Sequence, residues 1–260
     1  MKEDDAWDPQ QYERFRAERM APGRDLMALV QPKAGMRVVD LGCGTGELTL
    51  ELHRRLAARD TLGIDSSEAM LARARKLEAA GLRFERGDIN GFGAEAAYDL
   101  VFSTAALHWI ADHEALVARL CRALTARGQL AVQVPINDDH PAHIVAAELA
   151  SEDPFREPLA GFVHATPVLA PERYLSLLAA QGFRAPHVRL QVYGHWLDGP
   201  EGVIEWVKGT LLTDYQRRLP ADLFEAFLLR YRSRLLSRLT RERPYLLTYK
   251  RILFWAERGQ

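Results

Sequence analysis

Short apolar runs alternate with stretches of helical period along the first half of the chain. Val38-Val39-Asp40-Leu41 is a run of the kind a buried parallel strand needs. From Glu47 onward Leu48, Leu52 and Leu56 recur on one helical face, so residues 42–46 form the turn between a strand and the helix it feeds. The same alternation continues with strands at 61–64, 82–86, 98–102 and 128–134 and helices at 67–78 and 112–124, Pro135 closing the fifth strand. Strands separated by helices in this rhythm are βαβ units, and they predict an α/β fold with a mostly parallel sheet covered by helices on both faces.

The flanks are less regular. Asp8-Pro9 is a helix start, after which Tyr12, Phe15, Arg16 and Arg19 fall at three- and four-residue spacing; Pro22-Gly23 then predicts a break, and Leu26, Leu29 and Val30 a second helix. After Ile136 helices are expected near 141–151, 171–181, 202–212 and 223–239, with a proline- and glycine-punctuated loop at 156–164. Residues 187–195 alternate as a half-buried strand should, and 245–257 would pair back against them to complete a seven-stranded sheet. The expected organisation is an N-terminal helical lid (1–35), a Rossmann-like core (36–135), and a helical substrate cap carrying the last two strands (136–260). Arg230, Arg232, Arg234 and Arg238 in the 223–239 helix read first as a solvated face.

Composition narrows the picture only modestly. The 260 residues, 48% hydrophobic and 27% charged, suffice for a full core. A formal charge of −1 gives no general drive toward nucleic acid or an anionic membrane, which leaves a small molecule as the expected partner and no obligate protein partner. Cys43 and Cys121 suggest neither a disulfide framework nor a metal site. The acidic start and the lack of any apolar stretch of about 18 residues predict a cytoplasmic protein.

The turn Gly42-Cys43-Gly44-Thr45-Gly46 carries the first chemistry. Glycine is needed where backbone lies against a ligand, and strand-to-helix turns of open α/β sheets are where ligands bind. A dinucleotide fingerprint would put its third glycine at position 47, where Glu47 would oppose a pyrophosphate, and no GK[ST] follows as a P-loop requires. The run VDLGCGTG, Asp40 included, instead resembles the first motif of class I S-adenosylmethionine-dependent methyltransferases. Asp65, at the end of the second strand with Ser66 beside it, can accept hydrogen bonds from both ribose hydroxyls of a nucleoside. Met70 could pack on an adenine face, Asp88 accept from the adenine amino group, and Ile89 stack on the ring. Trp7 and Tyr12 would cover the cofactor, with Arg19 pairing with a carboxylate. Ser103 begins the loop leaving strand four, near a transferable methyl, and His108 and Trp109 could line that pocket, Trp109 being equally readable as core.

The whole chain resembles the bacterial trans-aconitate 2-methyltransferase family. The resemblance rests on Trp7-Asp8-Pro9 with Tyr12, Phe15 and Glu18-Arg19, on VDLGCGTG, on Gly63-Ile64-Asp65-Ser66-Ser67 with Ala69-Met70, and on Asp88-Ile89. In the second half it rests on Leu130-Ala131-Val132-Gln133, on Arg156-Glu157-Pro158-Leu159-Ala160-Gly161 with His164, and on Trp206-Val207, Arg230-Tyr231, Arg251 and Ala256-Glu257-Arg258. The first-half motifs are shared by many methyltransferases, and the second-half ones are the specific part. The resemblance implies formation of a methyl ester on one carboxylate of trans-aconitate with release of S-adenosylhomocysteine, and it makes Arg19, His164, Arg230, Tyr231 and Arg251 candidates for holding a tricarboxylate. A carboxylate is already ionised at neutral pH, so no catalytic base is required and proximity carries the reaction. The chain departs from the family around 136–153 and 211–221, and His108 stands where glutamine is usual. The loop after strand four lacks the Pro-Pro-aromatic motif of nucleobase amino-methyltransferases, which disfavours nucleic-acid amines. Another small acid or a natural-product hydroxyl remains an alternative substrate, and a non-catalytic nucleoside-binding protein an alternative class.

Overall fold

The computed structural model describes residues 16–259. Seven strands form one sheet: β1 (Arg37–Leu41), β2 (Asp60–Asp65), β3 (Leu82–Arg86), β4 (Tyr98–Thr104), β5 (Leu124–Pro135), β6 (His187–Leu197) and β7 (Tyr245–Glu257), in the order β3-β2-β1-β4-β5-β7-β6. The first five are parallel, and β7 runs antiparallel to both β5 and β6. The order reverses between β1 and β4, so the crevice for a ligand lies beyond the carboxyl ends of these two strands.

Side-chain alternation assigns the two faces. Val38, Leu100 and Phe102 point to one, where helix α1 (Arg16–Met27) and helix α2 (Glu47–Leu56) close over them with Leu26, Met27 and Leu52. Val39, Leu41 and Val101 point to the other, covered by α4 (His113–Arg122) and α6 (Pro171–Ala180) through Leu116, Leu120, Tyr174 and Leu178. Helix α3 (Glu68–Ala74) packs Leu71 and Ala74 against Leu82 and Phe84 of β3. A separate cluster, built by α5 (Pro141–Ala150), α7 (Glu201–Lys208), α8 (Leu211–Gln216) and α9 (Ala221–Arg238), buries Val145, Leu149, Phe155, Trp206, Tyr215, Phe227 and Tyr231. No helix among the described residues is long and apolar enough to cross a membrane.

The chain departs from its sequence pattern in three places. Pro22-Gly23 does not break the leader, because α1 runs through both. Tertiary packing outweighs their poor helix propensity: Leu26 and Met27 are fully buried, and the missing Cβ at Gly23 admits Leu48, whose Cδ2 lies 2.4 Å from where a Cβ would stand. The fifth strand starts at Leu124, paired with Tyr98 across an irregularity in register, so α4 ends two residues earlier than its period suggested. The helix expected over 202–212 is two helices, since the chain turns at Gly209-Thr210 before α8 begins. Of the α9 arginines, Arg234 pairs with Glu152 and Arg238 with Glu148, both at the surface.

The ring of Phe227 is fully buried, stacked on Tyr215 (centroids 5.0 Å apart) and edge-on to Phe155 (5.1 Å). Truncation by Phe227→Ala is expected to lower unfolding free energy by about 3–5 kcal/mol. Urea unfolding followed by fluorescence measures it, and a loss below about 1 kcal/mol would show that these helices do not share a packed core.

Candidate active site

The β1–α2 turn hangs on the end of β2. The N–H groups of Gly42 and Cys43 both donate to the Ile64 carbonyl, at 2.8 and 3.0 Å. Asp65 completes the attachment: Oδ2 accepts from the Gly44 N–H (2.8 Å) and Oδ1 from the Ser67 N–H (2.9 Å). Ser67 in turn caps α3, its Oγ accepting from the Met70 N–H at 3.2 Å. Two glycines are required here for different reasons. Gly42 has φ +77° and a Cβ there would lie 2.1 Å from the Cβ of Ala106, on the loop after β4. Gly44 has φ +55° and nothing within 4 Å of its Cβ position, because it faces open cavity. Gly46, at φ +79°, packs under Phe84.

That cavity measures about 480 Å³, within the range of small-molecule sites. Its first end is acidic. Asp40, Glu47, Asp65 and Asp88 line it, with Gly42, Gly44, Ser66, Met70 and Ile89. Asp40 accepts from Thr49 Oγ1 at 2.6 Å, and burial, opposed in part by that hydrogen bond, pushes its carboxyl up to about 7. Asp88 accepts from the Asn90 N–H (2.8 Å) and Nδ2 (3.1 Å) on Oδ1, leaving Oδ2 without a partner among the described residues. Met70 and Ile89 supply the apolar walls a flat ring needs.

The second end is imidazole- and arginine-rich. His108, Trp109, His143, His164, Arg217, Tyr249 and Arg251 line it. The rings of His108 and Trp109 lie 4.6 Å apart, with His164 edge-on to Trp109 at 6.4 Å and His143 at 5.9 Å from His164. Arg251, buried on β7, is set between Gln133 Oε1 (3.4 Å) and the Tyr249 ring (5.1 Å from its centroid). Burial, followed by the charge of Arg251, lowers His108 to about 3, and burial beside His164 lowers His143 to about 4. Both rings are therefore neutral at physiological pH. His164 Nδ1 lies 2.8 Å from Asp214 Oδ2 on α8.

Several sequence candidates are not in the cavity. Ser103 is fully buried within β4 and donates to the Leu41 carbonyl at 2.7 Å, so the wall is made by Thr104 and Ala105 instead. Arg230 donates to the Asp153 carbonyl at 3.0 Å and lies over the Phe155 ring. Tyr231 is buried in the helical cluster, its hydroxyl finding the partner that burial demands at the Ala142 carbonyl, 3.1 Å away. Both residues brace the helices and touch no ligand space. Trp7 and Tyr12 lie outside the described residues, as does the side chain of Arg19. His143, Asp214, Arg217 and Tyr249 were not legible in the sequence, because they reach the cavity only through the folding of the irregular half.

A family profile described as a methyltransferase domain matches residues 32–177. A Deinococcus radiodurans protein named trans-aconitate 2-methyltransferase is 43% identical over 98% of this chain and 99% of its own length. A protein of the same name from Acidovorax sp. strain JS42 is 40% identical over 88% of each chain. This chain belongs to the trans-aconitate 2-methyltransferase family. The enzyme is an S-adenosylmethionine-dependent methyltransferase. Its fold matches the YcgJ protein of Bacillus subtilis (TM-score 0.59, 16% identity, 92% of this chain and 98% of that one). It also matches phosphoethanolamine N-methyltransferase 2 of Haemonchus contortus, solved with S-adenosyl-L-methionine (TM-score 0.55, 17% identity, 92% and 52%). The first end of the cavity suits this cofactor. Backbone is cleared at Gly44, carboxylates line a space that would take a ligand with positive charge and no phosphate, and Met70 and Ile89 are apolar walls beside it.

The raised Asp40 carboxyl has a consequence for stability. Between its ordinary value near 3.8 and its folded value of about 7, the folded enzyme holds a proton that the unfolded chain has released. Asp40 therefore favours the fold below about pH 4, and that contribution is lost as pH rises through 7. Asp40→Asn does not titrate, so the unfolding free energy of the variant minus that of the wild type should grow by up to about 4 kcal/mol between pH 4 and 8. Denaturant titrations across this range measure the difference, and a pH-independent one would contradict the raised carboxyl.

Proposed function

We propose that the enzyme esterifies one carboxylate of trans-aconitate, with the cofactor held at the acidic end of the cavity and the acid at the basic end. The observation that carries this reading is the segregation of charge inside one cavity: carboxylates at the glycine turn, and imidazoles and a buried guanidinium beyond the loop after β4, where the Asp214 carboxylate is paired with His164 and Arg218. The names of the relatives point to the same substrate.

When bound, S-adenosylmethionine supplies a methyl group activated by a cationic sulfur. The chain's own work is to bind and align. Asp65 accepts from the ribose hydroxyls through lone pairs not used by Gly44 and Ser67, with Ser66 beside it, and Asp88 accepts through Oδ2. Glu47 offsets positive charge, while Met70 and Ile89 hold the base. Arg251 and His164 replace hydration around carboxylates of the acid, with His108 and Trp109 as walls. Holding nucleophile and methyl at about 3–3.5 Å and in line supplies some 7–11 kcal/mol of the barrier. His108, lowered to about 3, is too weak a base to activate a hydroxyl, and a carboxylate needs none.

One observation favours a second reading. His164 with Asp214 has the arrangement of a base and its orienting group, which would serve a hydroxyl substrate. A cytoplasmic location belongs to the proposal too, since an intracellular acid and a reducing compartment suit two buried free cysteines.

Purified enzyme with S-adenosylmethionine should convert trans-aconitate to a monomethyl ester detected by mass spectrometry. Asp65→Ala should raise the cofactor KM by about 100-fold, since it removes both the ribose contact and the anchor of Gly44. Methylation of phenols or alcohols in place of trans-aconitate would favour the hydroxyl reading, and turnover unaffected by Asp65→Ala would contradict the assigned cofactor end.

A further inference from the structure

His164 sits on the loop between α5 and α6, where no regular structure holds it. Two consecutive residues of α8 do so instead. The His164 N–H donates to the Tyr215 hydroxyl at 3.1 Å, and Nδ1 lies 2.8 Å from Asp214 Oδ2. Backbone and ring are thus fixed by one short helix some 50 residues away in sequence. The side chain is only 8% exposed, and what is open of it lines the cavity.

The protonation pattern follows from the partner. The Asp214 carboxyl is held below the usual carboxylate range, first by the hydrogen bond from His164 and then by the nearby charges, Arg218 and Arg217 included. It is ionised at neutral pH and can only accept, so Nδ1 must carry a proton, whichever state Nε2 is in. Asp214 is itself braced, Oδ1 lying 3.6 Å from Arg218 Nη1 one turn on, while the Arg218 guanidinium stacks on Phe162 at 3.7 Å. Nε2, on the opposite edge of the His164 ring, has no partner among the described residues. The titratable and charged groups around the ring are His143 from α5, His108 beyond Trp109, Asp214 and Tyr215 from α8, Arg217 and Arg218 just after it, and Arg251 across the cavity. Of the three imidazoles that line the cavity, His164 alone makes a hydrogen bond to a carboxylate among the described residues.

We propose that Asp214 is a positioning residue for substrate recognition: it holds His164 so that, with both ring nitrogens protonated in the complex, Nε2–H donates to a carboxylate of the acid other than the one being methylated. The enzyme then selects polycarboxylates, because one carboxylate must satisfy His164 while another accepts the methyl. Asp214 lines the same cavity, but its carboxylate is engaged by His164 and Arg218, and it acts through the ring it orients. This proposal rests on the esterification reading, and it assigns the His164–Asp214 pair to binding and not to proton removal.

The test uses the full-length enzyme with trans-aconitate and with an analogue lacking one carboxylate. Asp214→Ala should raise the KM for trans-aconitate about 10- to 100-fold, the loss of a charge-assisted hydrogen bond, with kcat and the cofactor KM changed less than about 2-fold. It should also narrow the preference for trans-aconitate over the analogue. Asp214→Asn, whose amide oxygen still accepts from Nδ1–H, should recover most of the KM. Imidazole nitrogen NMR shifts of His164 should report a protonated Nδ1 in the wild type and the Asn variant but not in the Ala variant, a signature that loss of packing alone would not produce. An unchanged KM in Asp214→Ala, an Asn variant as impaired as the Ala variant, or a collapse of kcat at constant KM would overturn the proposal, the last by marking a base. Should the Ala variant fail to fold, the Asn variant's KM and nitrogen shifts still decide. A wild-type enzyme that leaves trans-aconitate unmethylated while the His164 shifts show a protonated Nδ1 would overturn the esterification reading, and leave the clamp to be retested with the acid then identified.

Discussion

The Asp65 carboxylate is the tie on which the site depends. It joins three elements at once: β2, which carries it, the glycine turn after β1 through Gly44, and α3 through the Ser67 N–H. Each oxygen accepts one backbone donor, and the residue lines the cavity. The turn is fixed from β2 and pressed against Ala106 on the loop after β4, and these contacts hold the backbone at Gly44 clear. Preorganisation of this kind lowers the ordering cost of binding, since the donors and acceptors do not have to be assembled when the cofactor arrives.

The second organising feature is the contrast in charge along one cavity. A cofactor with positive charge and an acid with negative charge must meet with their reacting atoms adjacent, and either would lose the encounter to water or to its own counter-ions in an unstructured site. Carboxylates gather at the ends of β1, β2 and β3, whereas Arg251 comes from β7, His143 from α5 and His164 from the loop braced by α8. The division largely follows the fold: the parallel half supplies the acids and His108, and the later half supplies the other basic groups together with Asp214, which is paired with His164. Neutrality of His108 and His143 keeps the basic end from carrying several mutually repelling cations.

The parallel half was legible in the sequence because its strands are short apolar runs and its helices strictly periodic, and because Asp65 and Asp88 stand at strand ends, where topology alone brings them to the crevice. Ser103 was misplaced by one residue: strand alternation turns its hydroxyl back to the Leu41 carbonyl and gives Thr104 the cavity. In the later half, local pattern says where helices lie but not which of their faces meets the site. Arg230 and Tyr231 have suitable chemistry, yet α9 turns them toward the loop at Asp153 and the start of α5. Asp214 was invisible for the converse reason. The break at Gly209-Thr210 sets the direction of α8, and nothing local links residue 214 to residue 164.

The most direct measurement is a crystal structure with S-adenosylhomocysteine and trans-aconitate bound together. The predicted result has the nucleoside against Gly44, Asp65 and Asp88, and the acid beyond the loop after β4. One carboxylate should point at the cofactor sulfur while the others contact Arg251 and His164 Nε2. An acid bound outside this cavity, or lying with its carboxylates against Asp40 and Asp65, would contradict the division of the cavity into a cofactor end and an acid end.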